Sequence, residues 1–124
     1  MKINEIISRV DNLKPNDYEE SEKIGWLSAL DNQIKTNIID THESTEESVF
    51  VGYDEETSKE TELLVKAPYD EMYEYYLCAK IDFYNGERSK YNANMTMFNN
   101  VYANYAADYT RKHTSKGVKK ITYF

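Results

Sequence analysis

Cysteine is nearly absent from this chain of 124 residues. Cys78 stands alone, so no internal disulfide can form, and a lone thiol fits a reducing compartment. Long apolar runs are missing too. None approaches the roughly 18 to 20 residues that cross a bilayer. The start, Met1-Lys2-Ile3-Asn4-Glu5, meets an acid at once and has no apolar core of a secretion signal. The expectation is a chain that stays in the cytoplasm and engages no membrane. Proline is confined to Pro15 and Pro68, and of the 4 glycines only Gly25 falls inside a periodic segment. Bases are scarce in one stretch: across residues 43–62, Lys59 alone faces Glu43, Glu46, Glu47, Asp54, Glu55, Glu56, Glu60 and Glu62.

Site chemistry is equally thin. His42 and His113 fall at predicted helix ends, where an imidazole caps carbonyls. No second cysteine or spaced histidine completes a zinc set. Asn85-Gly86-Glu87 is a turn and lacks the further glycines of a phosphate loop. Asp70, Glu71 and Glu74 could gather a divalent ion, but a first helical turn favours acids without one. Asp54-Glu55-Glu56 lacks the ligand alternation of a calcium loop. Cys78, between Leu77 and Ile81, reads as a buried thiol. The expectation is no enzyme, no catalytic residue, no metal and no cofactor. The basic C-terminal segment is too short to make a nucleic-acid patch on a protein of net charge -7.

What is present is helical periodicity. Ile3, Ile6, Ile7, Val10 and Leu13 step at i, i+3, i+4, i+7 and i+10. Ile24, Leu27, Leu30, Ile34 and Ile38 repeat the pattern beside Trp26, after a possible capping box at Asp17-Tyr18-Glu19-Glu20. Pro68 suits a first helical turn. From there Tyr69, Tyr73, Tyr76 and Phe83 recur at helical spacing, with Leu77, Ile81 and Tyr84 beside them. Beyond the Asn85-Gly86 turn, Tyr91, Met95, Phe98, Tyr102, Tyr105 and Tyr109 step by three and four. No strand puts those residues on one face.

The spacing predicts an all-α fold, a small bundle of about four helices near residues 3–13, 19–41, 68–85 and 88–112. A long acidic loop, residues 43–62, joins the second helix to the third, and like charges keep it extended. One helical domain, residues 1–113, precedes an extended tail, residues 114–124. The expected core is Ile6, Ile7, Val10, Trp26, Leu27, Leu30, Ile34, Tyr73, Leu77, Ile81, Phe98, Tyr102 and Tyr105.

Tyrosine is in excess: 12, against 4 Phe and 1 Trp. A small monomer struggles to bury so many hydroxyls with partners, whereas protein–protein interfaces favour tyrosine. The plain alternative is a wet helix pair without a partner. Two segments are candidate interfaces. Val49, Phe50, Val51 and Tyr53 form an apolar run inside the acidic loop, to contact a neighbour or fold back on the bundle. Lys119, Lys120, Ile121, Tyr123 and Phe124 make a basic, apolar tail suited to adding as a strand to a partner's sheet edge. Such a tail is expected to be loosely held in a free subunit and ordered in an assembly, against the plain alternative of a frayed terminus. Residues 1–66 hold 16 acids and 7 bases, residues 67–124 hold 6 and 8. That split invites head-to-tail contact between copies.

Four segments together resemble a known family. They are Trp26-Leu27-Ser28-Ala29-Leu30-Asp31; Leu63-Leu64-Val65 with Pro68-Tyr69-Asp70-Glu71-Met72-Tyr73; Ile81-Asp82-Phe83-Tyr84-Asn85-Gly86-Glu87; and Tyr91-Asn92 with Met97-Phe98-Asn99. In this order and spacing, over roughly residues 5 to 113, the chain resembles the head–tail connector proteins, or adaptors, of long-tailed phages and prophages of Firmicutes. The resemblance implies a four-helix protomer and a homo-oligomeric ring of about a dozen copies at the virion's head–tail junction. Its partners would be the portal protein and a tail-side connector or stopper. DNA would pass through without specific binding, which an acidic lining favours. Synthesis would be in the host bacterial cytoplasm. The other reading is an acidic regulatory binding protein, such as a DNA mimic.

Overall fold

The computed structural model describes residues 1–42 and 50–114. Four α-helices account for most of them: α1 Ile3–Leu13, α2 Glu20–Ile34, α3 Met72–Tyr84 and α4 Arg88–Lys112. The all-α class read from the periodicity holds. No β-strand occurs among the described residues; one β-bridge joins two of them, Lys2 with Glu62.

The apolar stripes fold as spaced. Ile3, Ile6, Ile7 and Val10 of α1 are buried against Ile24, Leu27, Leu30 and Ile34 of α2 and Met72, Tyr73, Leu77 and Ile81 of α3. Trp26 is buried with them. Each aliphatic side chain removed from water contributes on the order of 2 kcal/mol. Helix α3 is the centre and touches α1, α2 and α4. Helix α4 packs on α3 and on the turns flanking α2 and α3, and meets neither α1 nor α2 among the described residues. One long helix therefore rides on the outside of a three-helix body.

Five details depart from the sequence reading. Leu13 ends the α1 stripe but is 56% exposed, because the chain leaves the helix at Lys14 before another turn can cover it. Asp17 does not cap α2. Glu19 occupies the N-cap position, and no side chain bonds there. Residues Lys35–Ile39 form a π turn, not a continuation of α2, closed by Asp40 N–H donating to the Lys35 carbonyl at 2.8 Å. The wider turn keeps Ile38 buried and sets His42 beneath α4. A 3₁₀ turn, Tyr69–Glu71, precedes α3, so Pro68 stands ahead of the α-helix. Tyr102 is half-buried against the core, not inside it.

The acidic loop does not stay extended where it is described. Its last residues lie along the start of α1. Ile3 N–H donates to the Thr61 carbonyl at 3.1 Å, Asn4 N–H to the Lys59 carbonyl at 3.0 Å, and Leu63 N–H to the Met1 carbonyl at 2.9 Å. A helix start leaves its first N–H groups without partners, and here the loop backbone supplies two. Lys2 Nζ reaches Glu60 at 2.9 Å and Lys59 Nζ reaches Glu20 at 3.0 Å. These pairs are exposed and fix register more than they stabilise.

One buried carboxylate joins the parts. Asp31 of α2 is wholly buried and, among the described residues, forms no salt bridge. It accepts Tyr53 Oη and Tyr73 Oη at 2.6 Å each and Leu64 N–H at 3.1 Å. Tyr73 Oη in turn accepts Val65 N–H at 2.9 Å. Helix α2, the loop's return and α3 thus meet at one side chain. Burial raises the Asp31 carboxyl above its usual value, and the two tyrosine hydroxyls offset part of that rise. Burial and the Asp31 charge hold Tyr73 well above the usual phenol value.

Replacing Asp31 by alanine leaves two hydroxyls and an amide unpaired inside, and should cost about 3 kcal/mol or more in urea unfolding. The pH dependence has a definite sign. A carboxyl raised in the folded state takes up its proton there first, so its contribution to stability is largest at low pH. That contribution is lost as pH rises from the usual 3.8 through the raised value. Glu60 is lowered by Lys2 and shows the opposite behaviour, losing its contribution as pH falls through its lowered value. Asp31→Asn keeps Glu60 unchanged. The stability of the wild type minus that of Asp31→Asn should therefore decline as pH rises above 3.8 and then level off. A rising difference would contradict the arrangement.

Candidate interaction surface

The candidate interface residues of the loop separate in the structure. Val49 lies outside the described residues. Val51 is 91% exposed. Phe50 is half-buried and meets Tyr53 edge-on, with ring centroids 5.2 Å apart. Tyr53 turns inward: its hydroxyl is held by Asp31, and its N–H donates to Ser28 Oγ at 2.9 Å. Gly52 makes that inward turn possible, with φ at +82° and room for no side chain, since a Cβ would stand 2.9 Å from Ser28 Oγ. Of this run, Val51 is left fully open to solvent, and Tyr53 belongs to the protomer's own framework. Lys119, Lys120, Ile121, Tyr123 and Phe124 lie outside the described residues.

The groups weighed for chemistry find structural partners. His42 Nδ1 lies 2.6 Å from the Ile38 carbonyl and Nε2 lies 3.2 Å from Thr110 Oγ1, so it ties the end of α2's extension to α4. His113 Nδ1 lies 3.0 Å from the Tyr109 carbonyl. Glu74 pairs with Arg9. Burial pushes the Cys78 thiol up to about 11, which leaves it without thiolate at neutral pH. Among the described residues no three His, Cys, Asp or Glu side chains gather as a metal set.

The surfaces that remain open are on α4 and at the α3–α4 turn. Helix α4 turns Phe98, Val101 and Tyr105 inward, with Tyr91, Met95, Tyr102 and Tyr109 half-buried beside them. Burial pushes the Tyr105 hydroxyl up to about 12. The opposite face carries Asn92, Ala93, Thr96, Asn99, Asn100, Ala103, Asn104 and Ala107, all exposed, with Met97 among them. No side chain from Tyr91 to Ala107 is charged, in a chain where 30% of residues are. Solvated helix faces carry Lys and Glu. The fully covered centre of an interface is depleted of them.

At the other end of the hairpin, aromatic rings run across four elements. Trp26 stacks on Tyr84 at 5.7 Å and 9° between planes. Tyr18 meets Trp26 edge-on at 5.7 Å and donates its hydroxyl to Asn85 Oδ1 at 2.7 Å. Phe83 adjoins Tyr84 at 5.2 Å and Tyr91 at 5.6 Å. Trp26 is buried, but Phe83 is 58% and Tyr84 55% exposed. Helical spacing puts Phe83 in one row with Tyr73 and Tyr76, and Tyr84 beside it, and neither is in the expected core. Buried Asp82 beside them accepts Lys14 Nζ at 2.6 Å and Asn94 Nδ2 at 2.8 Å. That pins this end of α3 between α1 and α4, so the turn's outer rings stay uncovered. A hollow next to Tyr18 is lined by Asp11, Asp17, Glu19 and Glu20, with Lys23 at its floor bonded to Asp11 at 2.7 Å.

Gly52 and Gly86 offer a paired measurement. Both have positive φ, +82° and +74°, but a Cβ meets Ser28 at Gly52 and nothing within 4 Å at Gly86. Each Gly→Ala change should cost about 1–2 kcal/mol for the backbone. Gly52→Ala should cost more in thermal or urea unfolding, because it also displaces Ser28 from Tyr53. Equal losses would mean that the Ser28 contact carries no weight. No family model, no curated protein and no solved structure matches this chain.

Proposed function

We propose that this chain is a structural connector subunit of a tailed-phage virion, assembling side by side into a ring between portal and tail through the outer face of α4. The observation that carries the reading is the uncharged run from Tyr91 to Ala107 on a helix that packs on one side. The run spans about 25 Å at 1.5 Å per residue, long enough for a continuous helix–helix joint. Its exposed side chains are short, so a second helix can come within the usual 8–10 Å. The family resemblance supplies the identity of the assembly, a ring under the portal through which DNA passes.

The acids weigh in the same direction. A DNA mimic needs carboxylates standing free on one face. Here Glu60, Glu74, Asp82, Asp11 and Asp108 each face a cation of the same chain, and Asp31 is buried.

Ala103→Glu tests the reading. Ala103 is exposed in the protomer, so the helical signal and unfolding midpoint should stay within about 0.5 kcal/mol of wild type. Self-association in sedimentation, and ring formation with portal by electron microscopy, should fall at least about tenfold, from a charge buried in the joint. Assembly equal to wild type would refute this use of α4.

A further inference from the structure

The exposed rings Phe83 and Tyr84 and the acidic hollow beside Tyr18 form one surface of mixed character at the α3–α4 turn. Aromatic area lies on one side and carboxylates in excess on the other: Asp11, Asp17, Glu19 and Glu20 against Lys23, which holds Asp11, and Lys59, which holds Glu20, so that Asp17 and Glu19 carry the charge left over among the described residues. Residues 119–124, Lys-Lys-Ile-Thr-Tyr-Phe, have the complementary order, two bases followed by apolar and aromatic side chains. We propose that residues 119–124 of one copy dock on this surface of the neighbouring copy, with Lys119 and Lys120 in the hollow and Tyr123 and Phe124 against Tyr84 and Phe83. This rests on the self-assembly reading above and names a second joint within it.

Geometry selects the neighbour over the same copy. The surface lies level with the start of α4, and the tail leaves from its end. From Arg88 to Lys112 the helix rises about 36 Å. From Lys112 to Lys120 the chain, fully extended at about 3.4 Å per residue, covers about 27 Å. The lysine backbone falls short of the first turn of α4, and the hollow lies further, beyond α3, among α1 and α2 residues that α4 does not touch. Between copies no such limit applies. Strand addition needs a sheet edge, and the described residues form no β-strand. On this surface the docked segment is held by its side chains.

The nearby bases restrict the register. Lys80 and Arg88 stand on the α4 side of the rings and repel Lys119 and Lys120, while the hollow on the Tyr18 side attracts them. The pair therefore orients the segment, and the aromatic contacts follow.

Charge exchange in the full-length chain tests this. Lys119→Glu with Lys120→Glu, and separately Asp17→Lys with Glu19→Lys, should each weaken self-association about tenfold in sedimentation equilibrium. The fourfold variant should recover most of the loss. Circular dichroism confirms the fold of each. Recovery in the fourfold variant supports the proposal, because a merely damaged surface cannot be restored by a second damage. Two outcomes overturn it: pairs that leave association unchanged, or pairs that weaken it without recovery in the fourfold variant. If either occurs while Ala103→Glu still abolishes association, the tail joint fails and the α4 joint stands. If the wild-type chain remains a monomer at every concentration, both fail.

Discussion

A buried carboxylate held by two phenols and an amide is the constraint on which the rest of the fold depends. Removing Asp31 from water costs several kcal/mol unless its lone pairs are filled. Two phenols and one amide fill them. Those donors come from residues 53, 64 and 73, so folding α2 with Asp31 inward requires the loop's return and the start of α3 to be in place. The loop is held because it satisfies a group that the apolar core cannot. A leucine at position 31 would pack without drawing in Tyr53, and the loop would be held only by its bonds to the start of α1 and α2 and by Ser28.

The same arrangement decides where charge and aromatic area are free. Acids near α1, the loop and the start of α3 are drawn into pairs with Lys2, Arg9, Lys23 and Lys59. The net charge of -7 is therefore not one free acidic face. Tyrosines divide similarly. Tyr53 and Tyr73 work inside as donors, Tyr18 and Tyr84 brace Trp26, and the α4 row seals the helix pair. Much of the tyrosine excess that points to an interface in the sequence is used to build the protomer. What stays exposed is the Phe83–Tyr84 edge.

Periodicity made the helices legible because apolar stripes at three and four leave one low-energy way to pack. It reported poorly on polar groups inside. Asp31 sits four residues after Leu27 and three before Ile34, on the buried stripe, and that register was the available signal. Composition alone assigns an aspartate to the surface. Asp82 is the same case, one residue after Ile81 and held by Lys14 from another element. The π turn at Lys35–Ile39 and the missing side-chain cap of α2 reflect tertiary contacts overriding local preference, as His42 is drawn under Tyr109 and Thr110. Tyr53 was read as a candidate surface residue because its acceptor lies 22 positions away. No local pattern encodes that distance.

The placement of the two open surfaces bears on symmetry. The uncharged face runs along the side of α4. The ring-and-hollow surface lies at the hairpin turn, and the tail leaves from the opposite end of the same helix. The proposed contact, residues 119–124 of one copy on the turn surface of the next, would be heterologous, one that repeats from copy to copy without a two-fold axis. Heterologous contacts make closed rings when the rotation between copies divides a full turn, and open filaments when it does not. A long lateral joint is what fixes that rotation, because helices packed along several turns hold their crossing angle by interlocking side chains. The proposed tail joint, made by the side chains of six residues, would not fix an angle. In the proposed assembly the two would divide the labour by their chemistry: the side of α4 would set the angle, and residues 119–124, basic and aromatic, would add affinity once the angle is set.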